Sequence, residues 1–165
     1  EWSRQVSHDG VTDEAADGDR GAIQDMLDRD SDGDMFGKLR LELGQTMDAH
    51  LAVFRDQNGM ETALDKIREL RERSTRVRVA DKGKTFNTNL IFTLELGFML
   101  DCAETIVLSG LERKESRGAH YRTDMPDRDD ENWLKHITVT KGAEGPELGY
   151  LPVTITKWTP EERKY

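Results

Sequence analysis

The stretch Asn87-Thr-Asn-Leu-Ile-Phe-Thr-Leu-Glu-Leu-Gly-Phe-Met-Leu-Asp-Cys-Ala-Glu-Thr-Ile-Val-Leu-Ser-Gly-Leu111 reads as the body of one long helix over about 87–115. Leu90, Leu94, Leu96, Leu100, Ala103, Val107 and Leu111 form its inner stripe, and Asn87 offers a side-chain oxygen to cap the first turn. The segment is apolar on most sides between 90 and 108, which places it at the buried centre of a bundle. Glu95, Asp101 and Glu104 argue against a membrane span, and no run of about 18 apolar residues occurs. Cys102, in mid-helix, reads as a buried and inert thiol; as the only cysteine it excludes an internal disulfide framework.

Upstream of this helix, three further helical segments are expected. In the segment at about 35–51, Phe36, Leu39, Leu43, Met47 and Leu51 recur every three or four residues, as one face of a helix requires. The pair Asn58-Gly59 marks a turn, with Asn58 and Glu61 at capping-box spacing. The next helix covers about 59–76, with Met60, Ala63, Leu64, Ile67 and Leu70 inward and a charged face outward. A short helix at about 19–28 carries Ile23, Met26 and Leu27 on one side. Downstream of Arg122 the period changes. His136 to Thr140 and Val153 to Thr156 alternate with period two, and the glycine-containing connection Gly142–Gly149 joins them as a β-hairpin. The expected fold is therefore mainly α, a bundle of about three to four helices with a C-terminal β-hairpin. The expected organisation is an acidic leader over 1–34, the bundle over 35–122, and a loop with the hairpin over 123–165.

Charge is unevenly distributed along the 165 residues. Residues 1–34 hold eleven acids and three bases, a net of −8, while the rest holds 22 acids and 21 bases, a net of −1. The leader has little apolar material to offset its ordering entropy and is expected to be partly disordered or a short helix. A total of −9 disfavours general nucleic-acid binding and attraction to an anionic membrane surface. Asp outnumbers Glu by 18 to 15 and Arg outnumbers Lys by 15 to 9, a balance expected of a halophilic protein; the alternative is an ordinary acidic linker. The first residue is Glu1 rather than Met, as expected of a fragment or a processed chain.

Two patterns carry chemistry. Asp28-Arg-Asp30-Ser-Asp32-Gly33-Asp34 matches the first half of a helix–loop–helix calcium loop, making Asp28, Asp30 and Asp32 the calcium candidates. The twelfth position, where a bidentate carboxylate closes the shell, is Leu39, so the competing reading is an acidic loop between helices. The second pattern is Arg113-Lys-Glu-Ser-Arg-Gly-Ala-His-Tyr-Arg122, followed by Met125-Pro-Asp-Arg-Asp-Asp-Glu-Asn-Trp-Leu-Lys-His136. Its candidate structural or interface residues are Glu115, Arg117, His120, Arg122, Asp129, Asp130, Trp133 and His136. His120 beside a carboxylate has the makings of a general base. Arginines in bidentate pairs with carboxylates would equally knit the helix end to the hairpin, with Gly118 ending the helix. No GxGxxG, no phosphate-binding loop and no cysteine cluster is present.

The second pattern resembles the C-terminal signature of the succinate dehydrogenase/fumarate reductase flavoprotein subunits. Asn87-Thr-Asn-Leu90 with Leu94-Glu-Leu96, Asp48 to Arg55 with Gly59 to Leu70, and the terminal Pro160 to Tyr165 extend the likeness over about 35–165. L-aspartate oxidase shares a similar Glu-Ser-Arg-Gly-x-His stretch, but the run from Arg128 to His136 is closer to the succinate/fumarate branch. The resemblance implies a helical scaffold domain packed on a flavin-binding domain of the same chain. It implies a parent that oxidises succinate to fumarate and passes electrons through FAD to an iron–sulfur subunit in the tricarboxylic acid cycle. Membrane anchor subunits would hold that parent peripherally at the cytoplasmic side of the cell membrane. FAD and the dicarboxylate-handling residues of the family lie upstream of the region matched. No catalytic, cofactor or metal residue is therefore expected here, and no nucleic-acid partner.

Overall fold

The computed structural model describes residues 13–30, 32–158 and 160–161. Among these described residues five helices and four strands follow in the order α1 (Asp13–Asp28), α2 (Phe36–His50), β1 (Phe54–Arg55), α3 (Gln57–Ser74), α4 (Thr88–Glu112), β2 (Tyr121–Arg122), α5 (Asp130–Trp133), β3 (Lys135–Lys141) and β4 (Pro146–Pro152). The helices α2, α3 and α4 pack on one another and share one core. Leu39 and Leu43 of α2, then Leu51, meet Met60, Ala63, Leu64, Ile67 and Leu70 of α3, all buried. Full burial of each large side chain contributes about 1.5–3 kcal/mol, so this three-helix seam dominates the stability of the domain. The chain is thus mainly α, a helical bundle with a C-terminal hairpin, as its periodicities indicate.

The helix starts follow from their caps. Asn87 Oδ1 accepts from the Leu90 amide at 2.8 Å and opens α4 as expected. At α3 the cap is Asp56, whose Oδ1 accepts from the Gly59 amide at 2.7 Å. Asn58, the expected cap, lies inside the first turn instead: the carboxylate two residues earlier takes the orphan amide and starts the helix sooner.

Three other expectations need correcting. The helix α4 buries Leu96, Leu100, Ala103, Val107 and Gly110 but leaves Ile91, Phe98 and Ile106 exposed, so it flanks the bundle rather than occupying its centre. The helices α2 and α3 cover its Leu96–Val107 side, and the hairpin meets only its C-terminal part. Cys102 faces outward with that uncovered side and is exposed, not buried. The second hairpin strand runs over Pro146–Pro152 rather than 153–156. The Gly142 amide bonds the Gly145 carbonyl at 2.9 Å, and Gly145 has a φ of 137° that other residues rarely adopt. That tight reversal pairs Val139 with Leu148 and Ile137 with Tyr150, which consumes the strand before the Thr-rich segment is reached.

The calcium reading falls away. Among the described residues no group of three or more His, Cys, Asp or Glu is gathered as metal ligands. Asp28 accepts from Gln24 within α1, and Asp34 is taken by Arg73 and Lys38. Leu39, at the closing position of the motif, is fully buried in the core. Arg73 also holds Glu42 through both of its terminal nitrogens, at 2.7 and 2.9 Å, so the loop's last carboxylate belongs to an ion-pair network tying α2 to α3.

Candidate functional site

The functional cluster gathers where α4 ends and α3 begins. The long helix stops at Glu112 rather than 115, because Arg113 turns extended at φ −73°, ψ 115°. Gly118 therefore does not end the helix. It occupies the first central position of a two-residue reversal in which Arg117 and His120 exchange backbone bonds of 2.9 and 3.1 Å. Its φ of +60° is what that reversal demands and what glycine supplies without strain. The reversal delivers Tyr121 and Arg122 alongside Phe54 and Arg55 as the short parallel pair β1–β2. Phe54 and Tyr121 then meet edge to face with ring centroids 5.6 Å apart.

Glu115 is fully buried and is the hub. Its Oε1 accepts from Arg113 Nη1 at 2.6 Å and Arg117 Nε at 2.7 Å. Its Oε2 accepts from Arg117 Nη2 at 2.9 Å and the Asp129 amide at 2.7 Å. Burial pushes the Glu115 carboxyl upward, but the bonds from Arg117, the Asp129 amide and Arg113 outweigh it and hold the group below its usual range. Arg117 spans two carboxylates, Glu115 and Asp130, and Arg128 takes the other oxygen of Asp130. Asp129 caps α5, accepting from the Asn132 amide at 3.0 Å.

Arg122 forms a second hub, also with no exposed surface. It grips Asp124 with two bonds of 2.7 Å, and its Nη1 donates to the Arg113 carbonyl at 3.1 Å, satisfying an acceptor just past the end of α4. Asp124 in turn accepts from the Gln57 amide at the start of α3, so one ion pair joins two helix ends. The hydrogen bond from Arg122 holds the Asp124 carboxyl far below its usual range. Ser116 Oγ accepts from the Arg122 amide at 2.8 Å and donates to the Met125 carbonyl at 2.8 Å.

His120 stands apart from these carboxylates. Its Nδ1 lies 3.0 Å from Arg55 Nη1, while its Nε2 is enclosed without a partner. A guanidinium only donates, so Nδ1 accepts and Nε2 carries the proton. Burial, then the charges of Arg55, Arg122 and Arg113, depress the ring to about 4, and it is neutral at pH 7. A carboxylate-paired general base is therefore not what the geometry provides.

Trp133 is a stacking platform. The Arg113 guanidinium lies 5.5 Å and Lys135 Nζ 4.6 Å from its ring centroid, and Tyr150 of β4 meets it edge to face. Tyr150 also reaches Glu112 with its hydroxyl, fastening the hairpin to α4. His136 is exposed but lines a cleft between α4 and β3 of about 620 Å³.

The structure thus brings Glu115, Arg117, Asp129 and Asp130 into one network, places Arg122 in a neighbouring one, and leaves His120 and His136 on the cleft. Arg55, Asp124 and Gln57 were not singled out by sequence. Arg55 lies 65 residues before His120, and no local spacing signals their approach. Arg113 and Ser116 stood inside the recognised motif and could have been found there.

Comparison with known proteins gives one consistent picture. Residues 40–165 match the family described as fumarate reductase flavoprotein C-term. A fumarate reductase flavoprotein subunit from Haemophilus influenzae is 44% identical over 142 residues, 86% of this chain and 24% of that protein. A succinate dehydrogenase flavoprotein subunit from Rickettsia conorii is 41% identical over 128 residues, 77% of this chain and 22% of that protein. A chain of E. coli quinol fumarate reductase superposes with a TM-score of 0.87 at 35% identity, covering 96% of this chain and 28% of that one. The chain spans about a quarter of the length of these relatives. The terminal likeness from Pro160 to Tyr165 falls mostly outside the described residues.

Proposed function

The chain belongs to the fumarate reductase flavoprotein C-terminal family, and from that premise we propose that it is the helical scaffold domain of a flavoprotein subunit interconverting succinate and fumarate. FAD, in this reading, is held by a flavin-binding domain of the same chain, and electrons pass between the flavin and an iron–sulfur subunit. The run from Arg128 to His136 favours the succinate/fumarate branch over L-aspartate oxidase; within that branch we assign the working direction as succinate oxidation, with fumarate reduction as the competing reading. Attachment in this reading is peripheral, through anchor subunits at the cytoplasmic side. Among the described residues no helix is long and apolar enough to cross a membrane.

The observation that carries the scaffold role is the uncovered side of α4. Ile91, Phe98 and Ile106 stand exposed along it, with Phe98 at 67%, and Leu43, Met47, Phe98, Met99 and Ile106 line an apolar groove between α2 and α4. A contiguous apolar face of this kind marks an interaction surface. Packing the flavin domain there would brace it and exclude water from its base. The glutamate and arginine hubs are then structural: they fix the angle between the bundle and the hairpin so that this face keeps its shape.

The test replaces Phe98 and Ile106 with Asp, in this chain alone and in the complete subunit. The chain alone should keep its urea midpoint, because neither side chain is in the core. The complete subunit should lose bound flavin absorbance and succinate–fumarate turnover. Retention of both in the complete subunit would refute the scaffold reading, as would flavin bound by this chain alone.

A further inference from the structure

Arg55 is a cation left without an anion. Its Nε donates to the Ala52 carbonyl at 2.6 Å and its Nη1 to His120 Nδ1 at 3.0 Å. Among the described residues, none of the recorded ion pairs includes it, although the clustered arginines 113, 117 and 122 each hold a carboxylate. The two contacts it does make aim the guanidinium without neutralising it: one is to a carbonyl and one to a neutral ring. The remaining donors of its fork are unassigned. Arg55 is half-buried, and that partial burial holds its pKa below the ordinary value.

Arg55 lies on the cleft between α4 and β3, where Ile106, Ile137 and Val139 form apolar walls; Arg113 and Arg117 also line it, with their charges shared with Glu115 and Asp130. Gly110 of α4 floors the pair: a Cβ there would stand 3.7 Å from His120 Cε1 and 3.9 Å from Arg55 Nη1, ordinary contact distances, and would crowd only Met60 Sδ, at 3.0 Å. Low-dielectric walls beside an unpaired guanidinium strengthen attraction for a negative group.

We propose that this cleft is a binding site for a single oxyanion, a carboxylate or phosphate group, taken by the free donors of Arg55, with His120 acting as the positioning residue that aims the guanidinium. The planar fork matches the two oxygens of such a group. The oxyanion comes either from a free small molecule or from a side-chain carboxylate of polypeptide covering this face. The site belongs to this chain and does not depend on the assignment of the parent enzyme.

The experiment titrates this chain with phosphate and, separately, with malonate, against chloride at equal ionic strength, reading calorimetric heat and the NMR signals of the Arg55 side chain. One-site binding with displacement of the Arg55 signals is expected in the unaltered chain, so the result needs no variant. Arg55→Met should weaken binding by about tenfold or more. His120→Phe should weaken it too, and His120→Asn, which retains an acceptor, should restore part of it. Arg40→Met, on the exposed face of α2, should change nothing. The same signals in the complete subunit separate the sources. An Arg55 already displaced and unresponsive to phosphate identifies a polypeptide carboxylate; one displaced only on adding phosphate identifies a free oxyanion. Absence of any Arg55 response in both the chain and the subunit overturns the proposal, as does equal weakening by Arg40→Met, which would mean diffuse surface attraction.

Discussion

Replacing Glu115 by Gln removes one proton-sized charge from the best-enclosed acid in the molecule and leaves the shape nearly intact. The carboxylate accepts four hydrogen bonds, two on each oxygen. An amide oxygen in place of Oε1 can keep the bonds from Arg113 and Arg117 Nε. The amide nitrogen in place of Oε2 then faces Arg117 Nη2 and the Asp129 amide, donor against donor. Two bonds are lost and a buried backbone N–H is orphaned, each such loss costing about 1–3 kcal/mol. Breaking a buried charge pair from one side costs about 3–5 kcal/mol in all. Arg113 and Arg117 keep 14% and 28% of their side-chain surface in water, so solvent recovers part of that. The expected loss is therefore about 3 kcal/mol, near the lower end. With a urea slope of about 2 kcal/mol per molar, the midpoint should fall by about 1.5 M. Urea melts followed by far-ultraviolet circular dichroism measure this directly. A loss below about 1 kcal/mol with an unchanged slope would refute the reasoning, because it would place Glu115 in effective contact with water.

Two further predictions concern pH and capping. His120 is depressed to about 4 in the fold, so between its unfolded value of about 6.5 and about 4 the unfolded chain binds the extra proton. Stability should fall as pH drops through that window, by at most about 3 kcal/mol, and a His120→Phe chain melted across pH 4–7 should show a flatter profile if the histidine is responsible. Asp56→Ala removes the acceptor at the start of α3 and should cost about 1 kcal/mol in a urea melt, whereas Asn58→Ala should cost little, which separates the two capping assignments.

The helical elements were legible because their information is local. The three- and four-residue recurrence of Leu39, Leu43, Met60, Ala63, Ile67 and Leu70 specifies a face whatever that face meets, and all six are buried against one another. The Asn87 cap was equally legible, since an Asx oxygen three residues before an orphan amide needs no other part of the chain. The arginine- and carboxylate-rich run after α4 announced both its kinship and its composition, but not its pairing. Which carboxylate each arginine takes depends on a reversal at Gly118 and on a helix end three residues earlier than periodicity suggests.

What only the tertiary structure decided are the relations between segments far apart in sequence. The inner stripe of the run from Leu90 to Leu108 marked the side that α2 and α3 cover, since Leu96, Leu100, Ala103 and Val107 are buried; that the other side, equally apolar, is left with Phe98 and Ile106 bare was not marked. Arg55 and His120 become neighbours because β1 pairs with β2 across 66 residues, a parallel contact with no turn signal to betray it. Period and capping are properties of a few consecutive residues and survive in the sequence. Burial, counter-ion choice and protonation are properties of the space between elements, and that space exists only once the chain has closed on itself.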